Sequence, residues 1–233
     1  MATRPIRLSV PETELPGLRA LAHASVDVLE KLADALALEK PSLEPGALAR
    51  AVAERSRLDP SAVEEVVLPL WRLALVQRRF ELGADELLKE IGSGLREIGA
   101  ERWTEDDAKA WSGREELIKR ILAPDGTMAS AAKARELLFA QQFFFCDARI
   151  LTDVRPMFDE RAEDLRAFVP FHTLALTYHE GEEVKTIHIA MDLAGLLRLA
   201  EVVKRAQQKE SLLRTDLEKS GISVVRREVE PDA

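Results

Sequence analysis

Three of the four histidines in this sequence lie close together, at His172, His179 and His188. Imidazole nitrogens are common ligands of zinc, so the cluster first suggests a metal site. The residues around them alternate between polar and apolar types, which predicts two antiparallel strands joined at Gly181. In that pairing His172 lies on one face, whereas His188, opposite Ala175, lies on the other face, two cross-strand pairs away from His179. At a rise of ~3.3 Å per residue, this spacing is too wide for one ion with Zn–N bonds of ~2.0–2.1 Å, so we predict no metal and no cofactor.

The only cysteine, Cys146, is the next candidate for chemistry, and it follows directly on Phe143-Phe144-Phe145. A single cysteine excludes an intramolecular disulfide and a cysteine-rich zinc site. A thiol beside three phenylalanines is more often a buried apolar side chain than a nucleophile. We therefore predict that Cys146 is buried and unreactive.

The glycines and the acidic clusters do not indicate catalysis either. Gly92-Ser93-Gly94 lies within a predicted helix with no strand before it, which argues against a dinucleotide or phosphate loop. Acidic runs such as Glu105-Asp106-Asp107 and Glu182-Glu183 are interpreted as solvated charge at helix starts or in loops. No catalytic residue is assigned, and we predict that the protein is not an enzyme.

The composition narrows the class of protein further. The 233 residues carry a formal net charge of −8, and 46% of them are hydrophobic. This balance is typical of a globular protein of one or two domains, and it disfavours binding to nucleic acid or to anionic membranes. No stretch approaches the ~18 apolar residues that span a bilayer, and the first residues lack the apolar core of a signal peptide. We therefore expect a soluble cytoplasmic protein.

Helical periodicity extends through most of the region from Pro16 to Phe145. Asp59-Pro60 predicts a helix start, and Pro69 is expected to kink or split the helix that begins there. Trp71 fits the buried stripe of that helix, whereas the sequence leaves the roles of Trp103 and Trp111 open. The predicted helices cover about 18–36, 45–53, 60–74, 85–98, 104–122 and 130–145.

After Cys146 the periodicity changes from helix to strand. The predicted strands are 150–158, 170–178 and 184–191, followed by a helix that begins at Asp192 and ends near Gly221. Residues 222–225 could add a short strand. Setting His179 opposite Val184 pairs Leu174 with Ile189 and Leu176 with Ile187. The larger apolar residues then share one face, as a correct register requires.

This region resembles the COMM domain. The likeness rests on Pro170 at the entry to the second strand, Gly181 in the hairpin and Met191-Asp192-Leu193 at the start of the helix, and it covers about residues 148–220. The first strand lacks the tryptophan that this family usually carries. COMM domains follow an all-helical domain, as this region does here. The resemblance implies an obligate dimer of interlocked sheets and helices, and a scaffold or adaptor role without catalysis.

The sequence therefore predicts an α+β protein: an all-helical N-terminal domain, then a small antiparallel three-stranded sheet with one long C-terminal helix. We assign 1–15 to an extended lead-in, 16–146 to the helical domain, 147–222 to a COMM-like dimerisation domain and 223–233 to a tail. Such a sheet with one helix leaves strand edges and one face uncovered, which favours association. The partner is a second copy or a related COMM-like chain. The expected interface residues are Leu174, Leu176, Ile187, Ile189, Leu196, Leu197 and Val203.

One alternative is a DNA-binding regulator that uses residues 44–68 as a helix-turn-helix. Arg50, Arg55 and Arg57 are the basic residues there, and the second helix begins without a side chain suited to reading bases. Nucleic acid is therefore not the expected partner. A weaker alternative is an enzyme with a pocket in the helical domain, for which the sequence names no residues.

Overall fold

The computed structural model describes residues 7–181, 183–222 and 224–225. Over these residues the chain has an α+β fold, as the sequence predicts: eight helices, then a three-stranded antiparallel sheet, then one long helix. The chain divides into two compact units, residues up to Leu137 and Leu138–Val224. Within the described part of the chain, no helix is long and apolar enough to cross a membrane.

Three of the first eight helices begin at side-chain caps that the sequence explains. The side chains of Ser25 and Asp59 accept hydrogen bonds from the backbone of the next helix, and Thr104 and Asp107 form a capping box. The helices are α1 Leu15–His23, α2 Val26–Leu38, α3 Pro45–Ser56, α4 Pro60–Arg79, α5 Ala84–Glu97, α6 Glu105–Ser112, α7 Glu115–Ile121 and α8 Thr127–Phe139.

The apolar stripes of these helices form a closed hydrophobic core. Trp71, Trp103 and Trp111 are all buried in it, which decides the two positions that the sequence left open. Pro69 is also buried and does not split α4. The largest fully buried side chains of the core include Leu21, Leu29, Leu32, Leu48, Leu70, Leu87, Leu88 and Leu95.

Three predicted helix boundaries are wrong. The first predicted helix is two helices, because Ser25 is extended and caps α2. The predicted helix 104–122 is interrupted at Gly113 and Arg114, between α6 and α7. The last predicted helix ends at Phe139, and the aromatic residues from Phe143 onward form a strand instead, in keeping with the β-propensity of phenylalanine.

The sheet has the order β1-β2-β3, with β1 at Phe143–Phe158, β2 at Leu165–Glu180 and β3 at Glu183–Met191. The register of β2 with β3 is the predicted one, with Leu174 opposite Ile189 and Leu176 opposite Ile187. Strand β3 pairs with β2 only from His172 onward. Residues 153–171 therefore extend beyond β3 as a two-stranded ribbon, which we call the hairpin arm.

The sheet is followed by α9, Leu193–Lys219, whose two ends form as predicted. The Asp192 side chain accepts a 2.8 Å hydrogen bond from the Gly195 amide. At the other end Gly221 has a φ of +75°, and the Ile222 amide donates to the Leu217 carbonyl, which is a Schellman ending. The strand expected at 222–225 is absent at Ile222, Val224 and Val225, and Ser223 lies outside the described residues.

Candidate self-association surface

One face of the sheet carries large apolar side chains from all three strands. A β-bulge at Cys146 lets two residues of β1 oppose one of β2, so that the side chains before and after it change parity. As a result, residues 143 and 145 share a face with residues 148, 150, 152 and 154. We call this face the apolar face. Its large side chains include Phe143, Phe145, Ile150, Val154, Phe168, Leu174, Leu176, Ile187 and Ile189.

Helix α9 covers only part of the apolar face. Six of its residues line a groove with Ile150, and Leu174 of the central strand is 7% exposed. Beyond that point the face is open: Phe145 is 58% exposed and Ile187 is 47% exposed. The open part is a groove of about 510 Å³ lined by Phe143, Phe145, Leu176, Tyr178, Ile187 and Ile189.

The hairpin arm is apolar on both of its faces. Val154 and Phe168 lie on the apolar face, and Met157 and Val169 lie on the opposite one. Each of these four side chains is about half exposed. An isolated two-stranded ribbon is marginally stable in water, and this one exposes apolar groups on both sides.

The end of the apolar face beside the β2–β3 turn has a charged rim. The Lys185 ammonium lies 2.5 Å from Glu180 and 3.0 Å from Glu183. The hydrogen bond from Lys185 holds the pKa of Glu180 below its ordinary value. These groups are solvent-exposed, so their pairing contributes little stability. An apolar patch with a polar rim is typical of an interaction site.

The structure places the predicted interface residues on this surface to different degrees. Leu174 is buried within the unit, and Leu176 and Leu196 are half-buried. Ile187, Ile189, Leu197 and Val203 remain exposed by 42–58%. Leu197 lines neither of the two grooves described above, whereas Val203 lies with Ile150 in the groove beside α9.

The helical pattern of the sequence does not predict the contribution of β1. It places Phe143 and Phe145 in a helix, although three consecutive phenylalanines are a signal for a strand. The prediction that Cys146 is buried is wrong: the side chain is exposed at the bulge, with its sulfur 3.6 Å from the Phe144 carbonyl oxygen. Cys146 is the extra residue of the bulge and has no partner in β2.

The histidines are separated as the predicted register requires. Thr152 Oγ1 lies 2.9 Å from His172 Nδ1 on the apolar face, whereas His179 and His188 lie on the other face, opposite Val184 and Ala175. Among the described residues, no group of three or more His, Cys, Asp or Glu side chains is placed to hold a metal ion.

The helix-turn-helix alternative corresponds to α3 and α4, which are joined by three residues. The first turns of α4 expose Glu64 and Glu65. DNA binding stays a prediction that no feature of these helices favours.

Comparison with known proteins assigns no family: no protein-family model matches the chain, and no curated protein is significantly similar to it.

Proposed function

We propose that this protein is a non-enzymatic scaffold or adaptor that assembles as a dimer through residues Leu138–Val224. The observation that carries the proposal is the exposure of α9. This helix has 27 residues, so it is about 40 Å long, yet none of its residues is buried. Its apolar side chains include Leu197, Val203 and Leu213, which are 58%, 48% and 63% exposed.

The contrast between the two units supports association. Most of the exposed large apolar side chains among the described residues lie in the second unit, whereas the first unit buries its apolar residues in its own core. Burial of apolar surface contributes about 25 cal/mol per Å², and monomeric proteins rarely leave large contiguous apolar patches in water. A partner that covers part of this exposed surface lowers the cost.

The likeness to the COMM domain supports the same proposal. The strand-strand-strand-helix order, Gly181 in the hairpin and the capped start of α9 at Asp192 are the features that carry it. Pro170 does not add to the likeness, because it lies inside β2 and not at the start of that strand. The partner that we propose is a second copy of the chain. A related COMM-like chain would present the same kind of surface. An assembly role needs no catalytic group, and we assign none.

A charge placed in the groove beside α9 tests this function. Val203→Glu puts a carboxylate beside Ile150 in the groove lined by both. We expect the wild-type chain to have the mass of a dimer by light scattering at low micromolar concentration. The variant should dissociate at least about tenfold more readily, because burial of an unpaired charge is costly.

Gln208→Glu is the matched control, because it adds the same charge to α9 at an exposed polar position. Its dimer should dissociate at the same concentration as the wild type. A wild-type chain that stays monomeric at these concentrations would contradict the proposed function.

A further inference from the structure

The outer edge of β1 is the longest unpaired strand edge in the second unit. Strand β1 has 16 residues and pairs with β2 on one side, and among the described residues no strand pairs with its other side. A free edge presents a row of backbone donors and acceptors to any strand of suitable pattern. Proteins usually protect such edges with like charges, proline, bulges or a covering element.

The charges along this edge alternate in sign. On the face opposite the apolar face, β1 carries Asp147, Arg149, Leu151, Asp153 and Arg155 at every second position, and the register is regular throughout. An antiparallel copy centred on Leu151 sets Asp147 opposite the copy's Arg155, and Arg149 opposite the copy's Asp153. The two-fold symmetry repeats both pairs, which gives four opposite-charge pairs and no like-charge pair. Such cross-strand pairs stabilise a sheet, whereas like charges destabilise it.

The two interruptions of β1 are symmetric about the same residue. The bulge at Cys146 and the proline at Pro156 each lie five positions from Leu151. A bulge disrupts the hydrogen-bond ladder, and proline has no N–H to donate. The regular segment between them, residues 147–155, therefore matches an antiparallel copy of itself from end to end.

The other face of the same segment fits this pairing too. Ala148 falls opposite the copy's Val154, and Ile150 falls opposite the copy's Thr152. Both positions belong to the apolar face. The apolar faces of the two sheets would then join into one continuous surface, as the hydrophobic pattern requires.

The charged groups are available for pairing. All four of these side chains are exposed, and among the described residues no ion pair involves Asp147, Arg149 or Asp153. The Arg155 guanidinium carbon lies 4.2 Å from the centre of the Phe171 ring, a stacking contact that leaves its N–H groups able to donate in the plane.

We infer that two copies of this chain pair antiparallel through β1, with Leu151 on the two-fold axis, and form a continuous six-stranded sheet. The order of strands is β3-β2-β1-β1-β2-β3. This inference rests on the proposed dimer and specifies its register. The contact is isologous, as in most homodimers, because the same edge serves both copies.

Two charge variants test the pairing, first each alone and then mixed. An acidic variant combines Arg149→Asp with Arg155→Asp, and a basic variant combines Asp147→Arg with Asp153→Arg. Each variant alone sets like charges opposite one another at all four pairs, so its dimer should dissociate at least about tenfold more readily than the wild type. Mixed in equal amounts, the two variants should form a heterodimer, detected by native mass from chains of different tag length.

A disulfide test locates the symmetry axis. Leu151→Cys in a Cys146→Ser background places two thiols on facing residues, whose Cα atoms are about 4.5–5.5 Å apart in an antiparallel pair, within the usual disulfide range. Mild oxidation should cross-link this variant into covalent dimers. Asp153→Cys in the same background is the control, because the two copies of position 153 lie four residues apart along the strand, about 13 Å.

The outcomes separate this inference from the proposed function. A wild-type monomer would overturn both. A wild-type dimer would keep the proposed function and overturn the β1 pairing if both charge variants dimerise like the wild type, if their mixture does not recover dimers, or if Leu151→Cys and Asp153→Cys cross-link equally. Recovery of the dimer only in the mixture, with cross-linking at position 151 alone, supports the pairing.

Discussion

At the scale of single residues, Asp107 is the least expected feature. It belongs to an acidic run that is predicted from the sequence to be solvated, but its side chain is buried. Its carboxylate lies 2.7 Å from His23 and 3.2 Å from Arg19, and it accepts from the Thr104 amide at 3.1 Å. Burial raises the pKa of Asp107, but hydrogen bonds with His23, Thr104 and Arg19 outweigh it and hold the pKa at about 2, below the ordinary 3.8. The group therefore joins α1 to the first turn of α6.

We expect Asp107→Asn to lower the free energy of unfolding at neutral pH by about 2 kcal/mol and to remove part of its pH dependence. Because the pKa of Asp107 is lower in the folded chain, the unfolded chain binds this proton first as the pH falls. The stabilisation is complete above about pH 5 and is lost as the pH falls through 3.8 towards 2. Urea unfolding of both proteins across this range measures the difference.

Asp106→Asn is the control for this prediction. It removes the neighbouring carboxylate from the same first turn of α6, where the side chain is exposed. It should change the free energy of unfolding by less than about 0.5 kcal/mol and leave the acid dependence as in the wild type. Equal acid sensitivity of the Asp107 and Asp106 variants would contradict the assignment.

At the scale of elements, the packing of α5 against the extended residues 7–11 depends on one glycine. A Cβ atom added at Gly94 would lie 2.7 Å from the backbone oxygen of Leu8 and 3.2 Å from the Val10 side chain. Since the first of these contacts is with backbone, the extended segment has to move to admit any side chain. Gly94 is thus required by the close approach of two elements.

We expect Gly94→Ala to destabilise the protein by about 1–2 kcal/mol, although alanine favours a helix over glycine by about 1 kcal/mol. Gly92→Ala in the same helix is the matched comparison. Its Cβ would meet only the Arg96 guanidinium, at 3.9 Å, so it should stabilise the protein by about 0.5–1 kcal/mol. Chemical denaturation measures both, and changes of the same sign would disprove this account of Gly94.

At the scale of the whole molecule, the two units differ in how they bury apolar surface. The first unit contains a closed core among its own helices. The second leaves α9, the hairpin arm and much of the apolar face exposed. We therefore expect the folding of the second unit to depend on association, since a partner that binds only the folded state stabilises that state.

Hydrogen exchange at several protein concentrations tests this difference. Dilution below the dissociation constant of the dimer should reduce the protection of amides in β1, the hairpin arm and α9. Each tenfold fall in concentration should cost about 1.4 kcal/mol of apparent stability. Amides in α2 and α4, which pack in the first core, serve as internal controls and should keep their protection. Protection of β1 and α9 that does not vary with concentration would contradict the prediction.

The sequence by itself determined the features that depend on neighbouring residues. The register of β2 with β3 follows from a period of two and the turn at Gly181, because a shift of one residue would place every apolar side chain on the wrong face. The caps at Asp59 and Asp192 and the ending at Gly221 follow from hydrogen bonds over three to five residues. The fold class follows from the same local patterns.

Only the tertiary structure decided the features that depend on distant residues. Strand β1 begins at Phe143 because its partner is the end of β2, far along the chain, and a helical pattern of apolar residues could not exclude that pairing. Asp107 is buried because α1 brings Arg19 and His23 to it. Cys146 is exposed because little packs against β1, in which every residue but Phe144 is exposed. The candidate surface also depends on distant residues. Some of its residues are predictable from the sequence, but their exposure depends on how much of the apolar face α9 covers. That coverage is a property of packing and not of local pattern.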